Sequence, residues 1–211
     1  MRSAREALYL LREGNRRFAS GARRVEPFQD ELRRAELTQS QEPHAIILGC
    51  SDSRVPAEII FDQGLGDLFV IRVAGNVVAP SQIGSVEFAA EAFHTRLVVV
   101  LGHQKCGVIL ATLEQLRRPA ANQSRNLRAI VERVRPSVQP IIEGDPASGH
   151  DALVEKAVRA NIRASVSHLR HGSQMLEQLE QDGLLIVGAA YSLDTGEVDF
   201  FEGVPEGMDL K

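Results

Sequence analysis

Two hydrophobic rhythms organise the chain. Through SAREALYLLREGNRRFASG, the apolar residues Ala4, Ala7, Leu8, Leu11 and Phe18 recur at three- and four-residue steps. That is the period of a helix with one buried face, and Gly21 closes the run. Residues 22–43 are charged and Pro-bounded, a connector with one short helix expected over 30–37. AIILGC (45–50) is then apolar without alternation, the habit of a strand covered on both faces of a parallel sheet. DLFVIRV (67–73), RLVVVLGH (96–103) and LLIVGAAYSL (184–193) repeat this habit. EVDFF (197–201) instead follows the turn DTGE and alternates, as an antiparallel edge strand does. Helical patterns over 56–62, 83–94, 107–117, 123–142 and 151–181 separate the strands, the last with an apolar stripe running from Leu153 to Leu179.

Strands alternating with helices predict an α/β fold. Its mostly parallel sheet of about four strands is flanked by helices, with an antiparallel edge strand and an N-terminal helical arm. No repeat or interdomain linker interrupts the pattern. At 211 residues and 44% hydrophobic, the chain supports one core, burying roughly 70% of the unfolded surface. A single domain over 1–211 is expected, with 1–43 as arm and connector and 44–211 as the α/β core. The 24 basic residues against 28 acidic ones, a net charge of −4, leave no excess to neutralise phosphates, so no nucleic-acid partner is expected. Apolar runs such as Leu97–Leu101 fall far short of the ~20 residues that span a bilayer, so no membrane partner is expected. MRSAREALYLLREG carries charges where a signal peptide is apolar. Two cysteines make no disulfide scaffold. Reduced thiols and a cytoplasmic location follow as expectations.

The placement of those thiols carries the chemistry. Cys50 ends the first predicted strand, and Cys106 follows the third, three residues after His103 in LGHQKCG. Open parallel sheets build sites at the carboxyl ends of strands, where the strand order reverses. If strands one and three are neighbours there, Cys50, His103 and Cys106 converge. Two thiolates and an imidazole suit Zn²⁺. Three protein ligands fit a catalytic ion with a water in the fourth position; a structural site would need another histidine or Asp52. By spacing alone, an inert buried thiol pair fits about as well.

The neighbouring residues shift that balance. CSDSR (50–54) and HQKCG (103–107) resemble the paired signatures of the β-class carbonic anhydrases. REGNRRF (12–18), residues 53–76, GSVEFAAEAF (84–93) and YSLDTGEVDFF (191–201) resemble family segments in family order, so that residues 4–201 are covered and 117–150 are least diagnostic. The resemblance implies one zinc per chain on Cys50, His103 and Cys106, and carbon dioxide and bicarbonate as substrates.

Two thiolates offset the formal charge of the ion, so a zinc held this way is a weaker Lewis acid than one on three imidazoles. An ionised acceptor beside the zinc-bound hydroxide answers that need. Asp52, kept ionised and off the metal by the fork of Arg54, is the candidate. The resemblance implies the same dyad; in isolation the two read as a turn-stabilising ion pair. An open site, with water rather than Asp52 on the metal, is expected. One subgroup of the family carries a bicarbonate regulatory site built on a tryptophan, an arginine and a tyrosine. Here Arg72 and Tyr191 match, but Ile47 stands at the tryptophan position.

The resemblance further implies Gln41 as a substrate-contacting amide, and Phe69 and Phe88 as apolar pocket walls suited to carbon dioxide. Gly107 offers an unobstructed backbone N–H. The family shares its pocket between chains, which implies a dimer or tetramer, and the helix at 4–18 is placed to pack on a neighbouring chain. The other histidines lack metal spacing, and Arg23–Arg24 and Arg33–Arg34 read as solvated faces. Two other functions remain open: a carbon disulfide or carbonyl sulfide hydrolase on the same fold, and a non-catalytic zinc or redox-thiol protein.

Overall fold

The structure, a computed structural model, describes residues 2–24, 31–118, 124–144 and 149–207. Residue 30 of the expected helix 30–37 and residue 123 of 123–142 lie outside the described residues. Five strands, β1 (Ala45–Gly49), β2 (Leu68–Arg72), β3 (Leu97–His103), β4 (Leu185–Tyr191) and β5 (Val198–Glu202), form one sheet in the order β2-β1-β3-β4-β5. The first four are parallel, and β5 pairs antiparallel with β4 through an irregular register at Gly188/Ala189. Every residue of β1 and β3 is buried, as expected for central strands without polar alternation.

Both faces of the sheet are covered. Ile46, Leu48, Val98, Val100 and Ile186 point into one core with the apolar stripes of α4 (Pro80–Ala92), α6 (Arg125–Gly144) and α7 (His150–His171). Their strand neighbours Ala45, Ile47, Leu97, Val99 and Val187 point into the other, against α1 (Ala4–Ala19). The period-two alternation of the strands sorts these residues. α1 therefore buries its stripe of Ala7, Leu8 and Leu11 on its own sheet. The short α2 (Glu31–Glu36) and α3 (Ala57–Ile60) complete the amino-terminal half.

Three helix boundaries differ from the sequence expectation. α3 is limited to Ala57–Ile60, because Asp62 adopts φ +48° just beyond it. α4 starts at Pro80, three residues early, because a proline at the first helical position lacks only an N–H that is orphaned anyway. The expected helix 151–181 is two helices: α7 ends at His171 with Gly172 as its C-cap, and Ser173 caps α8 (Gln174–Gln181) by accepting from the Leu176 N–H at 3.2 Å. The arginine pairs also do more than meet solvent. The buried Asp62 carboxylate accepts from Arg17 Nε at 2.6 Å and from the Arg24 backbone N–H at 3.2 Å, and Arg33 Nε donates to Leu65 O at 3.3 Å.

Candidate metal centre

The chain leaves β1 toward β2 on one side and returns to β3 on the other, so the strand order reverses between β1 and β3. At that switch point the carboxyl ends of both strands carry the predicted residues. Cys50 follows β1, His103 ends β3, and Cys106 stands directly before α5 (Gly107–Arg117) as its N-cap. One ligand atom from each lies within 4.8 Å of the others, and all three residues are buried.

The histidine ring is set for coordination. His103 Nδ1 sits 2.8 Å from Gln104 O, which assigns the ring hydrogen to that nitrogen and leaves Nε2 a lone pair. Nε2 is buried without a hydrogen-bond partner. A buried imidazole nitrogen facing two thiols, with its opposite nitrogen tied to a carbonyl, is the arrangement a metal ligand needs. The thiols interact as a pair: hydrogen bonding with Cys106, then from the Gly75 N–H, pushes the Cys50 thiol down against the opposing effect of burial, and the same contact pushes Cys106 up. A cation bound there would meet two sulfurs and one imidazole nitrogen. That donor set fits a borderline-soft divalent ion.

The turn after Cys50 forms the rim. Arg54 donates to Asp52 through Nε at 2.9 Å, Nη2 at 2.7 Å and its backbone N–H at 3.0 Å. These bonds hold the Asp52 carboxyl well below the usual carboxylate range. Asp52 Oδ2 lies 3.9 Å from His103 Nε2. Two further groups brace the turn. Arg72, at the end of β2, donates from Nε to Cys50 O at 3.0 Å and from Nη2 to Asp52 O at 2.6 Å. The Gly75 N–H donates to Cys50 Sγ at 3.4 Å. Sequence reasoning assigns neither role: Arg72 matches only a family regulatory position, and Gly75 lies unmarked within the family-like segment 53–76.

The pocket residues divide. A Cβ on Gly107 would meet open space beside Cys106. Gln41, Phe69 and Phe88 do not join the centre within one chain. Gln41 precedes β1 and lines a cleft of about 880 Å³ with His44, Phe93 and Arg96, the whole length of β1 away from Cys50. Phe69 pairs in register with Ile46, and its ring lies 6.3 Å from Phe88 and 6.0 Å from Phe93. Phe88 is 56% exposed. Arg72 is committed to the turn carbonyls, and the buried Tyr191 ring lies 6.4 Å from Phe18. Among the described residues, no helix is long and apolar enough to cross a membrane.

A family model described as carbonic anhydrase matches residues 45–198. A carbonic anhydrase of Mycolicibacterium smegmatis is 42% identical, the match covering 90% of this chain and 89% of that protein. Carbonic anhydrase 2 of Mycobacterium tuberculosis is 41% identical over 88% of this chain and 87% of its own length. Among solved structures, a β-carbonic anhydrase of Aspergillus fumigatus superposes with a TM-score of 0.72 at 26% identity, covering 83% of each chain. A tetrameric β-carbonic anhydrase of Sordaria macrospora shares the fold with a TM-score of 0.73 at 22% identity, covering 92% of this chain and 95% of that one.

Proposed function

The chain belongs to the β-carbonic anhydrase family, and we propose that it interconverts carbon dioxide and bicarbonate at one zinc ion held by Cys50, His103 and Cys106. The observation that carries this reading is the buried, unpartnered Nε2 of His103 facing two thiols. Two thiolates and an imidazole are a zinc donor set, and a three-ligand set leaves one position for chemistry. Bound there, zinc supplies a nucleophile at neutral pH by acidifying water.

The chain's own residues divide the remaining work. Arg54 clamps Asp52 through two parallel N–H bonds, which keeps the carboxylate ionised and turned from His103 Nε2. Asp52 accepts the hydrogen of the attacking hydroxide, so that a lone pair is left for the carbon of carbon dioxide. Gly107 presents its backbone N–H, one of the free donors in the first turn of α5, to a substrate oxygen. Arg72 keeps the Cys50–Asp52 turn from drifting through its two carbonyl contacts.

Gln41, Phe69 and Phe88 act on a neighbouring chain's centre in a dimer or tetramer. Their distance from the ligands along β1 and the exposure of Phe88 beside Phe69 and Phe93 support that reading. A cytoplasmic location agrees with two cysteines that are free and needed as thiolates.

Zinc analysis combined with stopped-flow hydration tests the proposal, with sulfide release from carbon disulfide and carbonyl sulfide assayed alongside. One zinc per chain with pH-dependent hydration is expected. Zinc with sulfide release but no hydration would replace the substrate. A zinc-free protein whose two thiols oxidise reversibly would replace the whole assignment.

A further inference from the structure

Two polar residues interrupt the buried stripe of α7. Asn161 and Ser165 stand four residues apart on one face, 3% and 4% exposed, between Val158, Ile162 and Val166. Buried polar groups on an apolar face cost stability unless each finds a partner. Both find one in the same turn. Asn161 Nδ2 donates to Gly75 O at 2.9 Å, and Ser165 Oγ donates to Asn76 O at 3.1 Å.

The turn they grip is one the backbone would not keep unaided. Gly75 has φ +72° and Asn76 has φ +44°, two successive residues in the left-handed region. A Cβ on Gly75 would lie 2.8 Å from Val108 Cγ1, so the segment also packs tightly on α5. This conformation aims the Gly75 N–H at Cys50 Sγ, 3.4 Å away.

We propose that Asn161 and Ser165 are positioning residues of the metal centre, which act through the Gly75–Asn76 turn to hold an N–H on the Cys50 sulfur and so limit how much charge that sulfur gives the ion. The proposal rests on the zinc reading above and deepens it. Two thiolates neutralise a divalent ion, and a hydrogen bond to one of them draws density back and restores Lewis acidity. The donor is a backbone group with no side chain of its own to vary, so its aim is set from outside, by α7. Neither residue touches substrate or metal, and no motif marks them.

The test compares Asn161→Ala, Ser165→Ala and the unaltered protein. Zinc affinity is measured by chelator competition, and the sulfur-to-metal charge-transfer bands are recorded after Co²⁺ substitution. Asn161→Ala is expected to move the Co²⁺ charge-transfer bands to lower energy, because the Cys50 sulfur then gives the ion more charge, and to change zinc affinity with them. Ser165→Ala moves both in the same direction by less, and it serves if Asn161→Ala does not fold. A merely structural role would lower the melting temperature and leave the bands in place. Folded variants with unchanged affinity and unchanged bands overturn this proposal alone. An unaltered protein that takes up neither ion overturns the zinc reading with it.

Discussion

Asp52→Asn separates a catalytic carboxylate from a structural ion pair. The substitution keeps the volume and removes the charge. Asp52 now receives three N–H bonds from Arg54 at 2.7 to 3.0 Å. An amide offers one acceptor oxygen, so one arm of the guanidinium fork loses its partner. The structural consequence is small, because the Arg54 side chain is 52% exposed and water takes over the freed N–H. The melting temperature should stay within about 4 °C of the unaltered protein, the scale of an exposed pair in a chain of this size. Zinc content should stay at one per chain, since all three ligands are untouched. Hydration behaves differently: a positioned proton acceptor within reach of the nucleophile is worth about 10²- to 10⁴-fold. That corresponds to roughly 3 to 5 kcal/mol of transition-state stabilisation. Stopped-flow kcat/KM, metal analysis and a melting curve on one preparation read all three quantities. Full activity with zinc retained would refute the role of Asp52, and activity lost together with zinc would make the carboxylate a support for the centre.

Three further outcomes follow from other parts of the chain. Gly14→Ala puts a Cβ 1.7 Å from Phe61 O, a backbone atom that cannot step aside; about 3 kcal/mol of overpacking should lower the melting temperature by about 6 to 12 °C by calorimetry. His44 is buried with neither ring nitrogen partnered, and burial, partly opposed by Asp67, pushes its pKa below the ordinary 6.5. The folded chain therefore binds fewer protons than the unfolded one below that value, so stability is complete above pH 6.5 and falls as pH drops toward the folded pKa. His44→Phe should flatten that slope in urea titrations run between about pH 7 and 5, and an unchanged slope would clear His44 of it. Phe88→Glu places a charge on the exposed member of the cluster with the half-buried Phe69 and Phe93; sedimentation velocity should show weaker self-association, and an unaltered assembly would remove this face from the contact.

The sheet and the convergence of Cys50, His103 and Cys106 were legible for one physical reason, while their reading as ligands comes from the family resemblance of the residues around them. β1 and β3 are buried on both faces, so their sequences are apolar throughout, and a Cys or His at the end of such a strand stands out. The split between α7 and α8 was hidden because the stripe of Leu169, Leu176 and Leu179 keeps helical spacing across Gly172–Ser173. The bracing of the centre was hidden more deeply. Arg72, Asn161 and Ser165 act through backbone carbonyls, which every residue possesses, so side-chain type alone cannot announce the partner. Gln41, Phe69 and Phe88 match family positions by offset, and an offset along the chain does not say which chain's centre a residue serves.

X-ray absorption at the zinc edge of the purified protein tests the metal centre most directly. Cys50 and Cys106 as ligands with His103 predict two sulfur neighbours at about 2.3 Å and two nitrogen or oxygen neighbours at about 2.0 to 2.1 Å, with one sulfur lost in Cys106→Ser. A zinc shell with any other number of sulfurs, or one left unchanged by that substitution, would contradict the account.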